Sequence, residues 1–183
     1  MMSNSEKSDE KSSGSKNILF IDNKYFTESS LDTCTHKFDT TFRDNFVNIV
    51  FNNFRNAENV RKLKHNKKEI KRLLLSENFV GVLYSVNDHT IGYVLAEARC
   101  LDDNRCVLFV SYIYVSSKFR GKKIGSVLMD EIEIRAKFDN MDGVMLIYDT
   151  HDEKLRKFYT DRGYKFDVKM RRYDVHDVVF RAI

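Results

Sequence analysis

The chain has 183 residues, a formal net charge of +4, 42% hydrophobic residues and 13% aromatic ones. That length fits one domain of ordinary size with a real core, and so small a positive balance does not by itself argue for nucleic acid. No apolar run approaches the ~18 residues of a membrane span, and the polar N-terminus lacks the apolar stretch of a secretory leader, so an intracellular setting, cytoplasmic or nuclear, is expected.

Residues 1–16 are mostly Ser, Lys, Glu and Asp and read as a disordered polar tail. Residues 17–183 read as the folded domain. Asn17 to Ile21 is a first strand. From Thr40 to Phe54, Phe42, Phe46, Ile49 and Val50 recur at helical spacing. The stretch Arg61 to Arg72 holds seven basic residues and one acid, Glu69, and leads into Ile70, Leu73 and Leu74 of a second helix ending near Asn78. The plain reading of that run is a solvated helix face. A surface for an acidic partner is the sharper one, and a nucleic-acid surface would lack interleaved aromatics.

Phe79 to Val86, Thr90 to Cys100 and Val107 to Val115 are strands, joined by turns at Asn87-Asp88 and Asp102-Asp103-Asn104. They suggest an antiparallel meander. A helix follows to Phe138 with Ile124, Val127, Leu128 and Ile132 on one face, then a buried strand, Val144 to Ile147. Glu153 to Arg162 is a short helix stopped by Gly163, and Tyr164 to Phe166 and Val178 to Ile183 are closing strands. The order β-α-α-β-β-β-α-β-α-β-β implies an α/β mixed sheet with helices on its faces. Cys34, Cys100 and Cys106 show no metal-ligand spacing and, without a leader, read as reduced thiols. A Cys100–Cys106 bridge would need the two to face each other across a hairpin. His36, His65, His89 and His176 share no ligand spacing with Cys, so no metal is expected.

Between the third meander strand and the long helix lies Ser116-Ser117-Lys118-Phe119-Arg120-Gly121-Lys122-Lys123-Ile124-Gly125-Ser126. A strand that runs through a basic, glycine-containing turn into a helix start is a site for phosphate. The first helical N–H groups lack intrahelical partners, the helix dipole is positive there, and the two together hold anions. The spacing matches neither a P-loop nor a dinucleotide fingerprint.

Element order and two local motifs resemble the GNAT superfamily of N-acetyltransferases. The first motif is R/Q-x-x-G-x-G/A, here Arg120-Gly121-Lys122-Lys123-Ile124-Gly125. The second is F-Y-x-x-x-G-[FY], here Phe158-Tyr159-Thr160-Asp161-Arg162-Gly163-Tyr164. The resemblance covers Asn17 to the C-terminus. Two positions depart from the family pattern: Lys123 stands where a glycine is usual, and Asp152 where asparagine is frequent. The resemblance implies a mostly antiparallel GNAT-like sheet and transfer of an acetyl group from acetyl-CoA to a primary amine. A protein lysine or N-terminus is the first expectation for the acceptor and a small amine the second. It implies that the amides of Arg120, Gly121, Lys122, Lys123, Ile124, Gly125 and Ser126 hold the pyrophosphate, and that Ile113, Tyr114 and Val115 line the pantetheine arm. The Val115 N–H is then an oxyanion donor, and Tyr159 the acid that donates to the departing sulfur. Glu97 is the first choice for the base, with Asp149 and His151 behind it. The competing readings are a GNAT-like module that binds acyl-CoA without transfer, and a basic nucleic-acid adaptor. No membrane partner is expected.

Overall fold

A computed structural model describes residues 15–27, 40–55, 65–149, 151–169 and 176–183. Among these, the elements in chain order are β1 (Lys16–Ile21), α1 (Lys24–Thr27), α2 (Thr40–Arg55), α3 (Lys67–Leu75), β2 (Phe79–Val86), β3 (His89–Cys100), β4 (Cys106–Val115), α4 (Ile124–Phe138), β5 (Gly143–Asp149), α5 (Glu153–Asp161), β6 (Lys165–Phe166) and β7 (His176–Ala182). A 3₁₀ turn, Ser117–Phe119, precedes α4. The expected order is present, with the single-turn α1 added. That turn has no apolar period to announce it; the Asp22 carboxylate accepting the N–H of Lys24 at 2.9 Å starts it. The acidic and basic tail residues up to 14, and residues 61–64 of the basic run, lie outside the described residues.

The seven strands form one sheet in the order β1-β2-β3-β4-β5-β7-β6. Every neighbouring pair is antiparallel except β4 and β5, which run parallel. This is the mixed, mostly antiparallel sheet that the element order implies. Side chains alternate between the faces. Val82, Val94, Leu108, Val144 and Leu146 are buried with Leu128, Met129 and Ile132 of α4 on one face. Phe79, Leu83, Tyr93 and Leu95 are buried with Phe46 and Val50 of α2 and Ile70 and Leu74 of α3 on the other. Burying each such side chain is worth roughly 1.5–3 kcal/mol, so the two helix layers hold the sheet from both sides.

Two irregularities shape β4. Leu95 pairs with Tyr112 while the next residue, Ala96, pairs with Val110, which leaves Ser111 as a bulge. One extra residue turns the remainder of a strand over. Leu108 and Val110 therefore share the α4 face with Ile113 and Val115, whereas Tyr112 and Tyr114 point to the α2–α3 face. The second irregularity is the end of the β4–β5 ladder. Pairing runs from Val107↔Gly143 to Val110↔Leu146 and stops there. Beyond it, Ser111–Val115 and Ile147–Asp149 flank a gap in the sheet.

The reduced-thiol expectation is corrected for two of the cysteines. Cys100 and Cys106 are direct partners across β3 and β4, their Cα atoms 4.1 Å apart, and they form a disulfide. Opposed positions of an antiparallel pair bring Cβ atoms close enough for the bond. The intracellular expectation loses the support it took from free thiols at these positions. Cys34 lies outside the described residues. No helix among the described residues is long and apolar enough to cross a membrane.

Candidate functional site

The loop from β4 into α4 has the geometry of an anion cradle. The Ser116 N–H donates to the Ile91 carbonyl at 2.8 Å, and Phe119 and Arg120 N–H groups close the 3₁₀ turn. The first backbone hydrogen bond of α4 runs from Val127 N–H to the Lys123 carbonyl at 3.1 Å. Among the described residues, none accepts a hydrogen bond from the N–H of Gly121, Lys122, Lys123, Ile124, Gly125 or Ser126. These amides sit at the positive end of the α4 dipole. The backbone takes the required course through two left-handed residues, Gly121 at φ 77° and Lys123 at φ 62°. A Cβ on Gly121 would meet nothing within 4 Å, so it is the conformation and not space that requires glycine there.

Lys123 is the N-cap of α4 and occupies the left-handed region without a capping hydrogen bond from its side chain. A non-glycine residue in that region costs about 1–2 kcal/mol. Lys123→Gly is therefore expected to stabilise the protein by about 1 kcal/mol, once the greater freedom of glycine in the unfolded chain is deducted. A higher urea midpoint at unchanged slope checks it; an unchanged midpoint shows that the lysine recovers the strain elsewhere.

Arg120, the first residue of the motif, turns its side chain back along the strand: Nε donates to the Val115 carbonyl at 3.0 Å. It thus fixes the angle between strand end and loop. Consecutive N–H groups of a strand point to opposite edges. With Ser116 N–H engaged by β3, the Val115 N–H is directed to the gap between β4 and β5. Gly92 lets α4 sit close to the sheet, since a Cβ there would be 3.1 Å from the Tyr114 carbonyl oxygen and 3.3 Å from Ile124 and Leu128.

Helix α5 places Tyr159. Asp152 is its N-cap, its Oδ1 accepting the N–H groups of Lys154 and Leu155, each at 3.0 Å. Aspartate thus performs the capping that asparagine would perform. Phe158 approaches the cradle, its ring 3.8 Å from the site of a Gly125 Cβ. Tyr159 is 4% exposed and packs against Tyr148 of β5, Phe158 and Tyr164, with ring centroids 5.0 to 5.6 Å apart. Burial pushes its phenol above the ordinary value. Its hydroxyl has no hydrogen-bond partner among the described residues.

The far end of α5 is tied by a buried carboxylate that sequence reasoning missed. Glu133 of α4 accepts from the Tyr164 hydroxyl at 3.1 Å, from Arg162 Nε at 3.3 Å and from Arg181. Arg162 also reaches Asp130 at 2.6 Å. The signal lay in the spacing: Glu133 falls on the stripe of Met129, Ile132 and Ala136, a charge on an apolar face. Such a charge needs partners, and these lock α4, α5 and β7 together behind Tyr159.

Glu97 is not brought to this place. It is 7% exposed on the face of Leu95 and Tyr93, against α3, and stands opposite Phe109, where β4 is still paired with β5 and no gap exists. Arg72 Nη1 donates to its Oε1 at 3.3 Å and Arg99 Nε to its Oε2 at 3.1 Å. Burial alone would raise its pKa. The hydrogen bonds from Ser76, Arg72 and Arg99 outweigh burial and leave the carboxyl below its usual value. Two guanidinium partners and a lowered pKa make a poor base. They make a structural anchor instead, with a defined sign. A carboxyl depressed in the folded state adds stability that is present above its unfolded pKa and fades as pH falls through its folded value. Glu97→Gln is expected to cost about 1–2 kcal/mol at pH 7, a modest figure because both arginines are partly in solvent. The difference from the parent should shrink as pH falls below the usual glutamate range and vanish only below the lowered folded value; a pH-independent difference would contradict the ion-pair account.

A depression of about 460 Å³ is lined by Arg105, Lys165, Asp167, Lys169 and Phe180 among others, and shares no residue with the cradle, the gap or Tyr159.

Residues 77–166 match the family model of the acetyltransferase (GNAT) domain. That stretch is a GNAT acetyltransferase domain. Solved GNAT structures share its fold. NAA60 of Arabidopsis thaliana, in complex with acetyl-CoA, superposes with a TM-score of 0.65 at 11% identity, over 92% of this chain and 99% of that one. An acetyltransferase of Streptococcus agalactiae gives 0.64 at 13%, over 92% and 98%. Naa50 of Arabidopsis thaliana, in complex with the bisubstrate analogue CoA-Ac-MVNAL, gives 0.57 at 19%, over 84% and 98%. A search of curated proteins by sequence found no match. At these identities the likeness speaks for the GNAT fold alone, and the chemistry has to be argued from this chain's residues.

Proposed function

We propose that the protein transfers an acetyl group from acetyl-CoA to a primary amine, with a protein N-terminus or lysine as the acceptor class. The observation that carries this reading is the set of unengaged amides from Gly121 to Ser126 beside the gap between β4 and β5. A diphosphate suits those amides and the positive helix end. The gap, bordered by Ile113, Tyr114 and Val115, suits an extended pantetheine arm that bonds to strand edges as a missing strand would. The Val115 N–H, directed to the gap, is placed to stabilise an oxyanion. The complex of Naa50 with a bisubstrate analogue supports a peptide-like acceptor by analogy of fold only.

Tyr159 in this reading serves the leaving group. Its raised pKa keeps the phenol protonated across the neutral range. A thiol is the stronger acid, so full transfer from the phenol to the sulfur runs uphill. The phenol then acts by donating a hydrogen bond to the thiolate as charge develops on it.

Acetyl-CoA turnover over a panel of peptides and small amines tests the proposal, together with thermal shifts by CoA and acetyl-CoA. A ligand that binds only the folded form raises the melting temperature. A shift by acetyl-CoA with no product from any acceptor would select the second reading, a module that binds acyl-CoA without transfer. The commitment of Glu97 to two arginines is the observation that favours that alternative.

A further inference from the structure

With Glu97 committed elsewhere, the proton of the attacking amine needs another acceptor, and the end of β5 holds one. The Asp149 Oδ1 accepts the backbone N–H of His151 at 2.9 Å and faces its Nδ1 at 3.0 Å. An ionised carboxylate only accepts hydrogen bonds, so in this contact Nδ1 is the donor, and the tautomer that donates from Nδ1 offers Nε2 as the acceptor. The Asp152 N–H donates to the Asp149 carbonyl at 3.1 Å, which links the end of β5 to the cap of α5. The ring itself is 73% exposed, open to an incoming substrate.

The place of this pair in the sheet gives it a task. Along β5, Val144, Leu146 and Tyr148 face α4 with Tyr159. Met145 and Ile147 face the other way, and strand alternation puts Asp149 with them. On β4 the Ser111 bulge turns Tyr112 and Tyr114 to that same face. The Asp149–His151 pair and Tyr159 therefore stand on opposite faces of the sheet at one gap. Acyl transfer asks for that division, because the nucleophile and the leaving group occupy different sides of the tetrahedral carbon.

We infer that His151, oriented by Asp149, is the general base for the acceptor amine; this rests on the transferase reading. As the new N–C bond forms, His151 Nε2 takes one proton from the amine nitrogen. The C–S bond then breaks, and the thiolate leaves toward Tyr159 and takes its proton from solvent. Asp149 is a positioning residue, and no protein atom is consumed.

The test is steady-state acetyl transfer by the full chain with the best amine of the panel. His151→Ala is expected to lower kcat by about 10²-fold, the usual reach of one general base, with the thermal shift by acetyl-CoA unchanged and part of the rate returned by added imidazole. Asp149→Asn should lose less, about tenfold, because an amide oxygen can still orient the ring but no longer carries charge. The inference is overturned if His151→Ala stays within about threefold of the parent, or if imidazole restores nothing while His151→Gln, which keeps a polar side chain, is as active as the parent. A parent that binds acetyl-CoA and acetylates no amine overturns the transferase reading itself. Parent activity undiminished in His151→Ala overturns the base alone.

Discussion

Tyr159→Phe is expected to lower kcat by about 10²-fold or more, the effect of removing one donor aimed at developing charge, while leaving stability and acetyl-CoA affinity close to those of the parent. The separation follows from the packing. The ring contacts to Tyr148, Phe158 and Tyr164 are all made by phenylalanine as well. The lost hydroxyl has no partner among the described residues, so its removal strands no buried polar group in them. Coincident loss of rate and melting temperature would mean that Tyr159 is a core residue and nothing more. An unchanged rate would remove it from the chemistry.

The second large effect belongs to the cradle. Gly125→Asp sets a carboxylate in the first turn of α4. The new Cβ would meet Phe158 at 3.8 Å and Val115 at 4.0 Å, ordinary contacts. A negative charge at a helix N-terminus is stabilising by about 0.3–1 kcal/mol. The same carboxylate competes with a diphosphate for the amides and repels it. The expected outcome is opposite signs: a melting temperature equal to or above the parent's, and acetyl-CoA binding weakened by about 100-fold, or ~2.7 kcal/mol. Calorimetric titration with acetyl-CoA reads the second quantity. Equal affinity would mean that the loop does not hold the diphosphate, and the transferase proposal would fall with it.

What the sequence displays and what it conceals divide along a physical line. Strand β2 runs from Phe79 to Val86 as its apolar run and the Asn87-Asp88 turn imply, and both turn residues have positive φ. Helix α4 starts at Ile124 because the glycine-containing turn ends there. These are local properties of the chain. The Ser111 bulge is not, since Val107 to Val115 reads as one continuous strand, and only pairing with β3 reveals the extra residue. The Cys100–Cys106 bond and the arginine pair on Glu97 also depend on what lies across the sheet. Glu97 attracts attention as a carboxylate on a strand near the expected site, but it stands where β4 and β5 are still paired and is held by Arg72 and Arg99, and no local feature tells either. Conversely, Asp152 departs from the motif in letter and keeps its function, because a cap needs only a short side-chain oxygen.

The bulge at Ser111 has a bearing on how this molecule can change. It divides a single strand into two lengths that answer to different demands. Substitutions in Val107 to Val110 are judged by the core, and those in Tyr112 to Val115 by whatever occupies the gap. Deleting Ser111 would leave a regular ladder, with Tyr112 and Tyr114 still opposite Leu95 and Tyr93 and on the same face. One codon thus sets the local kink of the strand, with the residues on both sides of it left in register with β3.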